Sequence, residues 1–383
     1  MENNKRIVWL DGLKYFACIG VYLSHFFGVF NFNNAVTSFD FPESLYSFFN
    51  FFRIILNGNF WVCIFCIISG MFCVSKKIES FSVFLKQTFY RYIRFVVPFI
   101  FMSAFIVLIS LFLGFPTQTY GKLFSNEWLL MFYSDKLTFS DVIKCIFIFD
   151  NSENYVLWTI APIFIGNIAI YFMQFLMNKL TVNQKIKDTI IYSVLFAALI
   201  ICTALKSTLI YSCACCIGAI LPKITKLTER IPKKIMAVFF AIIITVFHFH
   251  NDIVNLLIPK ISLIEKIGAD LFYLNTVWHI VYAVVLIILL FNLKTIQKVF
   301  STAFFRKFSF ASFSVYLFHC PIIFSFSLIL CGALIKKIPY TGVFFIILIS
   351  TSILIFLWSF VYEKTVGKLC SSIFIKIKSA LKI

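Results

Sequence analysis

Polar and apolar residues are segregated along this chain into long blocks rather than alternating. Ten apolar runs stand out, near residues 9–29, 57–75, 93–114, 155–177, 188–204, 207–222, 235–250, 270–292, 308–333 and 341–362. A helix crossing hydrocarbon needs roughly 20 mostly apolar residues, so each run predicts a spanning helix. The prediction is an all-α, polytopic integral membrane bundle of about ten helices over residues 9–362, with a short basic tail at 363–383. The whole of 1–383 reads as a single integral membrane domain. The longest stretch between runs, about 115–154, is expected outside, with Trp128 and the apolar 129–133 lying partly on the membrane interface. The first run follows Lys5 and Arg6 as a signal peptide does, but it is long and lacks a small-residue cleavage site, so it predicts a retained helix.

Composition agrees with this class: 61% of residues are hydrophobic, 13% are charged and mean hydropathy is +0.96. The net charge of +18 invites a nucleic-acid reading until its distribution is followed. With a cytoplasmic N-terminus, 25 of the 34 basic residues fall in cytoplasmic segments, which is the positive-inside bias. Topology accounts for the charge without nucleic acid, and both termini are expected in the cytoplasm. Twelve cysteines include two C-x-x-C spacings, "CIFC" at Cys63–Cys66 and "CACC" at Cys213–Cys216. Both lie inside apolar runs, without the turns and histidines of a zinc site, so they read as small packing residues and no metal is expected. The 52 phenylalanines carry no functional reading. There is no repeat, Walker loop or G-x-G-x-x-G.

Ionisable residues inside the runs are the candidates for chemistry, because they are costly in hydrocarbon. In "LDGLKYFACIGVYLSHFFG" Lys14 and His25 are eleven residues apart. That separation is three turns plus about 20°, so they share a face and differ by roughly 16 Å of rise, with Asp11 near the same face. If Lys14 marks the cytoplasmic boundary, His25 lies near mid-bilayer, facing the bundle interior. In "SFSVYLFHCP" His319 lies twelve residues beyond Lys307, roughly 18 Å above the boundary, so two histidines share one depth. His248, His250 and His279 sit nearer the outer helix ends and read as solvated at the interface. "KQTFYRYIRFVVP" sets Arg91 and Arg94 three apart on one side of a helix at the cytoplasmic boundary. Such residues serve as anchors, but guanidinium forks also bind phosphate bidentately, which lysine does not. "IISGM", with Ser69 and Gly70, reads as a close-packing notch, and "LWTIAPIFIG" supplies Trp158 as an interface anchor and Pro162 as a local break.

Taken in order, "LDGLKYFACIGVYLSH", "CIISGM", "YRYIRFVVP", "LWTIAPIFIG" and "FSVYLFHCP" resemble the integral-membrane acyltransferase-3 family, which moves acetyl or other acyl groups onto glycans and related acceptors. The resemblance implies acyl-CoA, commonly acetyl-CoA, as donor; a glycan or lipid-linked sugar as acceptor; and a multi-pass place in the plasma membrane. It puts the basic position before the ten-residue spacer on Lys14, the histidine on His25 and the arginine pair on Arg91 and Arg94. On this reading Arg91, Arg94 and Lys14 form a cytoplasmic mouth for the donor. Asp11 pairs with Lys14 or Arg94, His25 acts as general base or transient acyl carrier, and His319 and Ser69 contact substrate. Two departures stand out: Lys14 replaces the family's usual arginine, and Ile163 stands where many relatives carry an acid. A transporter or flippase of a phosphate-bearing substrate, with the histidines as a proton relay, and an inactive scaffold are the competing expectations. The first lacks the two similar halves with broken helices that usually mark it.

Overall fold

The computed structural model describes residues 7–30, 41–74, 77–133, 137–250 and 271–383. Among the described residues every regular element is helical and there is no strand. Helices occupy each predicted run: α1 (Val8–Val29), α2 (Gly58–Cys73), α3 (Phe81–Phe112), α4 (Ile160–Lys179), α5 (Gln184–Ala204), α6 (Ile210–Thr228), a helix over Lys233–His248, α7 (Leu271–Asn292), α8 (Ser312–Ile322) and α9 (Tyr340–Tyr362). The chain is an all-α polytopic membrane protein. Seven of the described helical stretches are long and apolar enough to cross a membrane, which is fewer than the ten expected. The shortfall has physical causes. Asp11, Lys14 and His25 lower the hydropathy of α1. The helices α2 and Lys233–His248 have 16 residues each, about 24 Å of rise against roughly 30 Å of hydrocarbon.

Side-chain caps start several helices. Asn57 accepts from the Phe60 amide at 3.0 Å ahead of α2, and Ser80 accepts from the Val83 amide at 3.2 Å ahead of α3. Helix α6 packs along both α2 and α4, α1 lies against α2 and α8, and α7 lies against α2 and α6. Helix α5 buries almost nothing of its apolar span and presents it outward, as a lipid-facing helix does. The notch predicted at "IISGM" is real: a Cβ on Gly70 would collide with the Cys215 carbonyl of α6, and one on Gly218 with the Ile67 carbonyl of α2. Two glycines on opposite helices thus let the backbones touch, the small-residue packing used where lipid offers no hydrophobic drive to associate. All twelve cysteines are free, and eleven are buried.

The run over 308–333 is one composite helix. A short helix (Ala303–Phe308) and a 3₁₀ turn (Ser309–Ala311) lead into α8, and a π-helical turn (Ile323–Ser327) leads out to Leu328–Leu334. Beyond α9, a second π-helical turn (Glu363–Gly367) carries the basic tail into α10 (Lys368–Leu381), which folds back on α3. The stretch at 115–154, expected outside, forms helices at Thr117–Leu123, Glu127–Leu130 and Phe139–Ile148.

Gly70→Val should overpack the α2–α6 contact, costing about 1–3 kcal/mol or more. Thermal unfolding in detergent should therefore begin several degrees lower. Gly342→Val is the control, because a Cβ there meets only the Ile338 side chain at 3.6 Å, and it should leave the midpoint unchanged.

Candidate active site

The two histidines predicted to share a depth are in contact. His25 Nδ1 and His319 Nε2 are 2.8 Å apart, and the rings stack within 8° at a centroid distance of 5.1 Å. The other nitrogen of His319, Nδ1, is 3.0 Å from the Val315 carbonyl. A carbonyl only accepts, so neutral His319 carries its proton on Nδ1 and its Nε2 accepts. His25 Nδ1 is then the donor, which leaves the lone pair of His25 on Nε2. Helix α8 thus fixes the tautomer of a histidine on α1. His319 is fully buried, while His25 is half-buried, stacked on Trp128 at 5.9 Å and edge-on to Tyr155 at 5.4 Å.

What holds α8 in this place is a repair of its own break. Pro321 has no N–H to offer the carbonyl four residues back, that of Leu317. Asn154 supplies the missing donor, its Nδ2 reaching the Leu317 oxygen at 2.8 Å. Tyr316 is tied alongside, its hydroxyl donating to the Val156 carbonyl at 2.8 Å and meeting Thr159 Oγ1 at 2.5 Å. After the proline, Ser325 Oγ donates to the Pro321 carbonyl at 2.7 Å. The segment 154–159 therefore works as a bracket that seats His319 opposite His25.

Toward the predicted cytoplasmic boundary lies a cavity of about 410 Å³ whose lining includes Lys14, Ser69, Arg91, Arg94, Ile163 and Tyr316. Lys14 pairs with Asp11 at 2.6 Å, which settles the predicted partner in favour of Lys14. Arg91 Nη2 donates to Ser69 Oγ at 2.9 Å, and Ser69 Oγ donates to Asn167 Oδ1 at 3.1 Å. Arg91 Nε is buried without a partner among the described residues. Arg94 sits over the Phe374 ring of α10 at 5.8 Å. Among the described residues neither arginine meets a carboxylate. Tyr316 is part of the cavity lining, and its ring is 6.0 Å from that of His319. Four predicted site residues thus line one cavity, two more meet beyond it, and Asp11 takes part through Lys14.

Two sequence readings are corrected. His250 and His279 are buried rather than solvated: His279 Nε2 meets Asn57 Nδ2 at 3.1 Å, and His250 Nε2 meets Asn275 Oδ1 at 3.2 Å. The asparagines provide the partners that water was expected to provide. Trp128, expected near the interface, stacks on His25, and Asn126 Nδ2 donates to the Gly28 and Val29 carbonyls at 2.7 and 3.1 Å and ties the segment to the open end of α1.

Sequence reasoning missed Asn154, Asn167 and Glu153. Asn167 had a legible signal, a polar side chain in the middle of an apolar run. Asn154 and Glu153 lie outside any run and gave none. Glu153 is fully buried and accepts from Ser103 Oγ at 2.7 Å, and burial holds its carboxyl above the ordinary glutamate range.

The structure is that of a polytopic helical membrane protein with an imidazole pair inside the bundle and, among the described residues, two guanidinium groups on one cavity without a carboxylate partner. A family model for the acyltransferase-3 acyltransferase domain matches residues 7–362, and the chain belongs to that family of membrane acyltransferases. No curated protein and no solved structure matches it.

Asn154→Ala should leave the buried Leu317 carbonyl without a donor, a loss of about 1–3 kcal/mol. The expected result is a lower unfolding midpoint together with loss of the His25–His319 contact, read by histidine ring-nitrogen NMR as a change in tautomer populations.

Proposed function

We propose that this chain moves an acyl group, acetyl in the simplest case, from cytoplasmic acyl-CoA to a hydroxyl of an extracytoplasmic or lipid-linked glycan at the plasma membrane. The observation that carries the reading is the His25–His319 pair, 2.8 Å apart, set above a cavity rimmed by Lys14, Arg91 and Arg94. Acyl-CoA carries several phosphate charges and is made in the cytoplasm, where the basic mouth is expected from the charge distribution. The donor's phosphates rest on the guanidinium groups, and its thioester arm runs up past Tyr316.

His25 Nε2 then takes the proton of the acceptor hydroxyl as that oxygen attacks the thioester carbonyl. The carbon–sulfur bond breaks, and the proton passes from His25 to the departing sulfur. During transfer His25 becomes an imidazolium, which its Nδ1–H bond to His319 stabilises. His319 is a positioning residue in this scheme: it fixes the tautomer and takes no proton from substrate. Trp128 and Tyr155 wall the acceptor side and exclude water that would hydrolyse the thioester.

Sealed vesicles of known orientation test the reading. Radiolabelled acetyl-CoA should acylate glycan only when the predicted cytoplasmic face is accessible, without the donor crossing, and His25→Ala should abolish transfer while insertion and abundance stay normal. Equal acylation from both faces, or transfer retained by His25→Ala, would overturn it.

Arg91→Lys and Arg94→Lys keep charge and topology but remove the fork. Each should raise the KM for acyl-CoA by about tenfold, the effect of about 1.4 kcal/mol, with abundance unchanged. An unchanged KM in both variants would reduce the arginines to membrane anchors.

A further inference from the structure

One side chain at the histidine pair has no part in that chemistry. Cys320 is fully buried, next in sequence to His319, and its Sγ lies 3.5 Å from His25 Nδ1. His25, His319 and Cys320 each offer one ligand atom, and the three atoms lie within 4.8 Å of one another. We propose that they form a three-coordinate site for a soft monovalent ion, Cu(I), and that filling it switches acyl transfer off.

The donor set comes first. A soft thiolate joined by two borderline imidazole nitrogens is a donor set that selects Cu(I) and Zn²⁺ over oxygen-seeking ions. Metal–nitrogen bonds of about 2.0 Å and metal–sulfur bonds of about 2.3 Å set ligand atoms roughly 3.3–3.8 Å apart. The sulfur–nitrogen separation of 3.5 Å already fits, and the nitrogen–nitrogen separation of 2.8 Å needs to open by about half an ångström. The outer shell is also in place: His319 Nδ1–H is held by the Val315 carbonyl, which aims the Nε2 lone pair at the site. His25 is half-buried, which leaves an ion a way in.

Charge decides between the two soft ions. The surroundings are apolar or aromatic, with Tyr22 and Tyr316 flanking His319, and no carboxylate joins the ligand cluster among the described residues. A monovalent ion on one thiolate and two neutral imidazoles is neutral overall. A divalent ion would leave a net positive charge buried without a counter-ion, which is strongly unfavourable.

The proton balance links the site to catalysis. Binding forms bonds to His25 Nδ1, His319 Nε2 and Cys320 Sγ. The thiol proton leaves to solvent, the His25 proton moves from Nδ1 to Nε2, and nothing is oxidised or reduced. Catalysis requires the Nε2 lone pair and the ion requires Nε2 protonated, so one excludes the other. This coupling rests on the function proposed above, whereas the binding itself does not.

The experiment titrates the full chain, in detergent with reductant, with Cu(I) delivered as its bathocuproine disulfonate complex. Wild type should withdraw one equivalent more than Cys320→Ser or His319→Gln, each of which should bind that equivalent more than about 100-fold more weakly. Cys370→Ser, outside the ligand cluster, should behave as wild type. That equivalent should reduce wild-type acyl transfer at least tenfold, reversibly on chelation, while Cys320→Ser keeps its own metal-free rate. Identical titrations for wild type and both site variants overturn the site, and tighter binding of Zn²⁺ than Cu(I) overturns its assignment to a monovalent ion. Full transfer by copper-loaded wild type overturns the switch. Absence of transfer from the metal-free protein counts against the proposed function, and the titration alone then decides the site.

Discussion

The hydrogen bond from Asn154 to the Leu317 carbonyl is the contact on which the active-site geometry turns. Backbone polar groups inside a bundle have no water to fall back on, so each must find a donor or acceptor within the protein. Pro321 removes one donor two residues beyond His319, in the helix that carries this histidine, and the break would leave α8 free to tilt. The amide of Asn154 closes the gap at 2.8 Å, and the same segment holds Tyr316 through Val156 and Thr159. Because His319 is anchored from below by Val315 and from the side by this bracket, its ring meets His25 in one orientation and one tautomer. A segment that looks like a connector in sequence is therefore part of the machinery.

The expectation that His25 and His319 lie at one level needed only helical rise and two basic boundary residues, and the rings do meet, although a 3₁₀ turn at Ser309–Ala311 separates Lys307 from α8. The basic mouth was legible for the same reason: Arg91 and Arg94 are three apart on a continuous helix, and Lys14 is one rise-length below His25. The bracket was not legible. Asn154 reaches Leu317 across more than 160 positions, and nothing local to either residue announces the contact. The outer histidines were misread because hydropathy locates a residue along the membrane normal but says nothing of its neighbours in the plane. Asn57 and Asn275 are the neighbours that make burial of His279 and His250 tolerable. The stacking of Trp128 on His25 was not legible either, because it depends on Asn126 gripping the end of α1 from nearly 100 positions away.

Both departures from the family pattern acquire physical meaning in the fold. Lys14 is engaged by Asp11 at 2.6 Å, so a compact ammonium suffices where a fork would have to serve two partners. Ile163 lines the cavity, where an acid would put a negative charge in front of Arg91 and Arg94. With isoleucine there, the cavity lining holds the two guanidinium groups and no carboxylate among the described residues.

Two guanidinium groups three residues apart on α3 repel each other, and like charges at this spacing destabilise a helix by a few tenths of a kcal/mol. Ser69 orients Arg91 but carries no charge to offset it, and Phe374 of α10 offers Arg94 only its ring face. Membrane anchoring alone does not call for this, since lysines at the same positions would snorkel apart. The Arg91–Ser69–Asn167 chain joins α3 to α2 and continues into α4, so on the function proposed above a donor phosphate that offset the repulsion would act on all three helices. By linkage, any ligand that prefers the assembled cavity would stabilise the bundle by an amount that grows with the logarithm of its concentration once it exceeds the dissociation constant.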